Sequence, residues 1–227
     1  MNSSLPKGQH ARDDFPRFGL IQYARRFPRE TGAARLRISG DVIETAELDT
    51  PLAGLPRVEQ VSDFHCVTTW SRRGLRWSGV RFVDFYAQHI LPRLADAAQV
   101  RTVVMRAQDG YRTTLPLVDL LAPEVLLADR LDGLPLSVEH GAPLRLVAPA
   151  HFGYKSPQYL SRLEFHRGDP KVRPAAFAFM DHPRARVAFE ERGRWLPGRL
   201  LRFVYRPLIG PTAARFAKAM TAYLDGR

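Results

Sequence analysis

What most restricts the folding of this 227-residue chain is that it carries a single cysteine, Cys66. No internal disulfide can form, so the fold rests on the core that 45% hydrophobic residues can bury in one large domain, or a domain with an appendage. Cys66 itself has three open roles: packed hydrophobe, nucleophile or metal ligand. Its setting is polar for a core strand. Residues 58–61 read as a strand, and the cysteine follows in Ser62-Asp63-Phe64-His65-Cys66-Val67-Thr68-Thr69-Trp70-Ser71, at a strand end, where loops commonly carry functional groups. Zinc is a poor match. Only His65 stands close by, and neighbouring side chains on a strand point apart. A metal at Cys66 would have to arrive already held by other ligands.

The rest of the chain is rich in cations. A formal charge of +11 and a pI near 10.5 call for an anionic partner, whether nucleic acid, an acidic membrane surface, an acidic protein or a bound anionic cofactor. A solvated arginine-rich surface is the plain alternative. No reading helix or aromatic platform is recognisable, so nucleic acid is not expected. No apolar stretch approaches the ~20 residues that span a bilayer. The amino terminus shows neither the apolar core of a secretory signal nor twin arginines, which makes a cytoplasmic location the expectation.

Apolar periodicity gives an α+β order. Leu36 and Ile38 alternate with Arg35, Arg37 and Ser39 as a half-buried strand ended by Gly40-Asp41. Further strands are expected over residues 58–64, 102–107, 111–114, 125–128 and 144–148, with Asp109-Gly110 as a hairpin turn. Val80, Val83, Phe85, Tyr86, Ile90, Leu91 and Leu94 recur at helical spacing and predict a helix over 80–98, broken near Pro92; residues 116–121 predict a short one.

Residues 1–34 read as an irregular arm pinned by Phe15 and Phe18, residues 35–170 as the main domain, and residues 171–227 as a basic amphipathic helical extension. In that extension Arg192, Arg194, Arg199, Arg202 and Arg206 alternate with apolar residues. Ala213, Phe216, Ala217, Met220 and Leu224 fall on one predicted helix face, which Gly226 ends. Packing on the domain is the simplest use of these helices; a membrane-surface or partner-docking face is the alternative.

Two stretches gather polar groups. His140-Gly141-Ala142-Pro143-Leu144-Arg145 makes a tight bend that can lift His140 and Arg145 towards one cavity. Gly153-Tyr154-Lys155-Ser156 combines flexible backbone, a cation and a hydroxyl, the ingredients of an anion cradle.

His65-Cys66-Val67-Thr68-Thr69-Trp70-Ser71, followed by Gly74-Leu75-Arg76-Trp77-Ser78-Gly79-Val80, resembles the cysteine loop of the sulfite oxidase-like molybdopterin oxidoreductases. It looks most like the branch containing the catalytic subunit of bacterial methionine-sulfoxide reductase. Asp109 to Leu117, His140 to Val147 and Gly153 to Ser156 are similar to the family's next blocks, in family order over roughly Phe15 to Phe165. The resemblance implies a sulfite oxidase-like fold of mixed sheets with peripheral helices, and a Mo-molybdopterin cofactor with Cys66 as metal ligand and catalytic centre. By the same resemblance Pro16 and Arg17 line the cofactor, His65 belongs to its binding set, His140 and Arg145 contact the pterin, and Lys155, Ser156 and Gln158 hold its phosphate side. Ala107, where some relatives place a hydroxyl residue, and Pro157 depart from the pattern.

The family's chemistry implies oxygen-atom transfer on a small-molecule substrate, with sulfoxide reduction in view and Trp70, Trp77 and Tyr111 as an apolar wall for a neutral sulfoxide. No haem-attachment motif or dinucleotide fingerprint is present, so electrons need a separate carrier. A non-catalytic molybdopterin-binding or membrane- or partner-docking module of the same fold is the alternative.

Overall fold

In the computed structural model, which describes residues 4–172 and 179–226, the alternating segments build two sheets. The first is organised on β5 (Trp70–Arg81), which pairs antiparallel with β4 (Arg57–His65) and β8 (Leu126–Leu131) and parallel with β1 (His10–Arg12). β10 (Arg145–Val147) lies beyond β8, and β9 (Leu134–Pro135) extends β8 in a hairpin. The second sheet runs β3 (Ala46–Leu48), β2 (Leu36–Gly40), β11 (Leu160–His166), β6 (Thr102–Ala107), β7 (Arg112–Pro116), with β2 and β11 its parallel pair.

Period-two alternation decides what each face of the first sheet meets. Leu127 and Leu146 enter the main core, together with Leu36, Ile38, Val103, Met105, Leu163 and Phe165. Each such side chain, fully buried, contributes about 1.5–3 kcal/mol. Leu126, Ala128 and Val147 turn to the opposite face, where they meet Leu75 and Trp77 with Phe15 and Phe64 packed alongside. Arg145, two residues before Val147, shares that second face. The first sheet is therefore apolar on both sides, but its outer side carries a buried guanidinium.

Several expectations change. The segment predicted as one helix over 80–98 begins as strand, because Val80 and Arg81 pair with Leu127 and Leu126. Helical backbone starts with α1 (Phe82–Phe85), widens into a π turn over Tyr86–Ile90, tightens to a 3-10 turn at Leu91–Arg93 around Pro92, and ends at Leu94 in extended conformation. Phe85, Tyr86, Ile90 and Leu94 are buried as the spacing required, while Val83 is half-buried and Leu91 exposed; Phe82, outside that set, is buried too. The short helix expected after Pro116 is α2 (Leu117–Leu120).

The amino-terminal arm is less irregular than expected. His10–Arg12 joins the first sheet as β1, and Ile21–Tyr23 forms a 3-10 turn.

Among the described residues of the extension, α-helix is confined to α3 (Gly198–Tyr205) and, after a 3-10 turn at Arg206–Leu208, α4 (Ile209–Asp225). Residues 173–178 of the predicted extension lie outside the described residues. α4 buries Phe216 and Met220 as expected, but in company with Thr212 and Ala219, leaving Ala213 half-buried and Ala217 and Leu224 exposed. Its partners explain the rotation. Phe216 stacks on Phe18, and Tyr223 on Phe27, so the face is chosen by the aromatic rings of the amino-terminal arm.

Candidate functional site

Cys66 lies in the four-residue turn, residues 66–69, between β4 and β5. The turn closes when Cys66 N–H donates to the Trp70 carbonyl (2.8 Å) and Thr69 N–H to the Cys66 carbonyl (3.2 Å). Thr69 takes φ +84°, costly for a β-branched residue and the kind of strain that gathers at functional turns.

A polar chain pins the turn from behind. The Ser71 hydroxyl donates to Gln9 Oε1 (3.0 Å), so its contact with His65 Nδ1 (2.7 Å) must be a bond accepted from the ring. His65 is therefore protonated on Nδ1 when neutral, and Nε2 is its free acceptor. Burial keeps the ring below the ordinary histidine range. Gln9 Nε2 completes the chain by donating to the Cys66 carbonyl (3.1 Å).

The thiol is buried but polar in company. Sγ meets Thr68 Oγ1 at 3.1 Å. Burial pushes its pKa up; the Thr68 hydroxyl and the Arg192 and Arg12 guanidinium groups pull the other way.

Arg192 is the residue the sequence reading missed. Its side chain is fully buried and donates to the carbonyls of Val67 (2.6 Å), Lys7 and Gly8 (3.3 Å each), with Nε on Glu190 (3.2 Å) and its plane over the Phe152 ring. Lying in an arginine-and-apolar alternation, it gave only the signal of a surface helix.

Of the residues predicted to hold a cofactor, His65, Arg145 and Ser156 line one cavity, with Trp77, Val147 and His151. Arg145 is enclosed between ring faces, 4.8 Å from Trp77 and 5.8 Å from Phe15. It donates to the His140 carbonyl (2.8 Å) and at 3.5 Å to Leu146, and no carboxylate meets it among the described residues. Burial brings its pKa down to about 10, so it remains a cation at neutral pH.

His140 stacks on Phe15 and contacts the Phe15 carbonyl through Nε2 (3.1 Å). Gly141, at φ +108°, turns the chain where an added Cβ would press on Arg145 and Gln158 at 3.2 Å. Ser156 accepts from the Ala148 N–H (3.1 Å), which leaves its own proton to donate. Gln158 donates to the Glu139 carbonyl (3.2 Å).

Arg17, Pro16 and Lys155 stand apart from that cavity. Arg17 gives its donors to Tyr159 Oη and the carbonyls of Tyr23, Ala24 and Arg26, pinning the arm. Neighbouring Pro16 is half-buried. Lys155, fully buried, donates to the Thr114 carbonyl (2.9 Å) and pairs with Asp181 of the extension (3.1 Å). Beside it the extension makes a further pair, Arg184 with Asp119, while His182 Nδ1 accepts from the Ala185 N–H (2.9 Å). Trp70 and Trp77 share the Phe15 ring as an aromatic wall, whereas Tyr111 meets Tyr23 and donates to the Tyr154 carbonyl.

The donor set suits a metal held by a bound chelate. Among the described residues no three His, Cys, Asp or Glu side chains converge on a point, so a metal at Cys66 brings its other ligands with it. Thr69 Oγ1 and Trp70 Nε1, three and four residues after the cysteine, are buried without partners among the described residues and are free to bond such a group. Arg145 offers an uncompensated positive charge. The cavity that Arg145 lines with His65 and Ser156 is narrow, about 10 Å³, enough for one water, and Cys66 is not part of its lining.

This donor chemistry defines a class of protein that binds a metal delivered inside an anionic organic chelate. The chain belongs to one such family: residues 25–172 match the oxidoreductase molybdopterin binding domain. It is 41% identical over 110 residues to the "Uncharacterized oxidoreductase YuiH" of Bacillus subtilis (strain 168), covering 48% of this chain and 53% of that one. It is 36% identical over 139 residues to the "Putative protein-methionine-sulfoxide reductase subunit YedZ1" of Azospira oryzae, covering 60% and 50%. With the "Protein-methionine-sulfoxide reductase catalytic subunit MsrP" of Xanthomonas campestris pv. campestris it shares 30% identity over 181 residues, 69% of this chain and 56% of that one. The chain spans about half the length of the curated relatives it matches. Among solved structures it resembles the sulfane dehydrogenase SoxCD of Paracoccus pantotrophus, with TM-score 0.51 and 18% identity over 60% of this chain and 38% of that one, a likeness of fold. The α+β, sulfite oxidase-like fold and the molybdopterin cofactor expected from the cysteine loop are thus both met.

Proposed function

We propose that this chain is the catalytic domain of a molybdenum-cofactor oxidoreductase that moves an oxygen atom to or from a small sulfur-containing substrate, with sulfoxide reduction as the favoured direction. The observation that carries this reading is Cys66: a thiol held at a strained hairpin turn, with no cluster of further protein ligands among the described residues and with unpartnered buried polar atoms on Thr69 and Trp70, at the far end of the same turn. Similarity to proteins named as methionine-sulfoxide reductase subunits supports the choice of substrate class.

The bound cofactor would supply the two-electron oxygen-transfer chemistry. The chain's own residues fix where that chemistry happens. Cys66 supplies a thiolate, deprotonated by the metal it binds, and Gln9 and Arg192 hold the backbone on either side of it. His65 Nε2, Ser156 and Arg145 present an acceptor, a hydroxyl and a cation along one wall for the cofactor's polar edge. Phe15, Trp70 and Trp77 make an apolar wall that excludes water and suits a neutral sulfoxide better than a charged sulfite. Electrons come from a separate carrier.

The test is metal analysis of the protein from a molybdenum-competent host beside its Cys66→Ser variant, with turnover of a methyl sulfoxide by a reduced dye. Molybdenum in the parent, its loss in the variant and sulfoxide turnover are expected. Equal molybdenum in both defeats the ligand assignment, and metal without turnover of any sulfur substrate favours a non-catalytic module.

A further inference from the structure

From Arg194 to Leu224 the chain contains five arginines and one lysine and no aspartate or glutamate. Within this run α3 is divided lengthwise. Leu201 and Tyr205 are buried against the body, and an added Cβ on Gly198 would strike the Glu190 carbonyl, so the helix is seated closely at its start. On the outer side Leu200, Phe203, Val204 and Leu208 are 52, 68, 62 and 48% exposed. They follow Trp195 and Leu196, exposed by 66 and 52%. Arg199, Arg202 and Arg206 stand at helical spacing along one border of this strip. Single exposed apolar residues need no explanation, but six in one stretch with an arginine border do.

We propose that this strip docks the protein on the surface of an anionic lipid bilayer, with α3 lying in the headgroup plane. The charge pattern selects that occupant. A second copy joined about a two-fold axis would set this arginine border against itself. A membrane surface accepts both halves of the pattern: the apolar side chains and Trp195 enter the headgroup boundary while the guanidinium groups meet lipid phosphates. The contact is peripheral, for no helix among the described residues is long and apolar enough to cross a membrane. It requires neither metal nor activity.

The experiment is flotation of the full-length protein with phosphatidylcholine vesicles, with and without phosphatidylglycerol, at low and high salt, together with its oligomeric state in solution. Binding to the phosphatidylglycerol vesicles alone, reversed by salt, is expected. Arg199→Gln and Arg206→Gln should each weaken it about fivefold, and Phe203→Ser about tenfold or more. Absence of binding at low salt overturns the proposal, as does binding that Phe203→Ser leaves unchanged. A dimer that Phe203→Ser dissociates would assign the strip to a second copy, and a strip that instead binds an acidic protein with no vesicle affinity would assign it there; either also overturns it.

Discussion

The cysteine loop is held from two sides by residues of very different legibility. Cys66, His65, Arg145 and Ser156 could be found because they sit in short blocks whose order along the chain is itself information. Gln9 and Arg192 could not, since each acts through backbone carbonyls and a carbonyl leaves no trace in composition. Lys155 shows the converse: a cation in a phosphate-loop-like motif is spent partly on Asp181, a partner 26 residues away that no local pattern announces. Arg192→Met tests the weight of the unforeseen contact. It leaves the Val67, Lys7 and Gly8 carbonyls without their donor and should lower unfolding stability by about 3 kcal/mol, seen as a lower urea midpoint with an unchanged slope. A midpoint within error of the parent would mean that these carbonyls find water.

At the scale of elements, most of the longer strands were legible, but β5, on which the first sheet is organised, was not expected, and the helices were legible only in part. Alternation is a period-two signal that survives in a few residues, and β2 falls where it was read, as β6 does where its β-branched apolar run was. Over residues 80–98 the apolar spacing was real, but it was shared among the end of a strand, a π turn and a 3-10 turn, whose periods differ too little over so few residues to separate. The buried face of α4 was misjudged because several apolar rows are available on it, and rings from another segment choose among them. Phe216 and Phe203 make the comparison direct. Phe216→Ala should cost about 3 kcal/mol through the cavity left under Phe18. Phe203→Ala should change stability by no more than about 0.5 kcal/mol. Equal losses in thermal unfolding would show that α3 is packed on both sides.

For the whole molecule, stability should fall as the medium is acidified. His89, His151 and His182 are held below the ordinary histidine range, mainly by burial. As pH drops through about 6.5 the unfolded chain takes up protons that the folded one refuses, so the folded state loses ground between about pH 7 and 5. Asp14, kept low by its bond from Arg12, adds a loss of the same sign below about pH 4. Melting temperature against pH reads this directly, and a flat profile from pH 7 to 5 would show those rings to be freely hydrated.

One buried guanidinium also sets an order of events. Arg192 closes on a carbonyl 125 residues before it and on another 185 residues before it. A ribosome delivers the cysteine loop and the first strands long before it delivers this clasp. Until Arg192 arrives the Val67 and Lys7 carbonyls lack that donor, so the packing behind the cysteine loop is completed last.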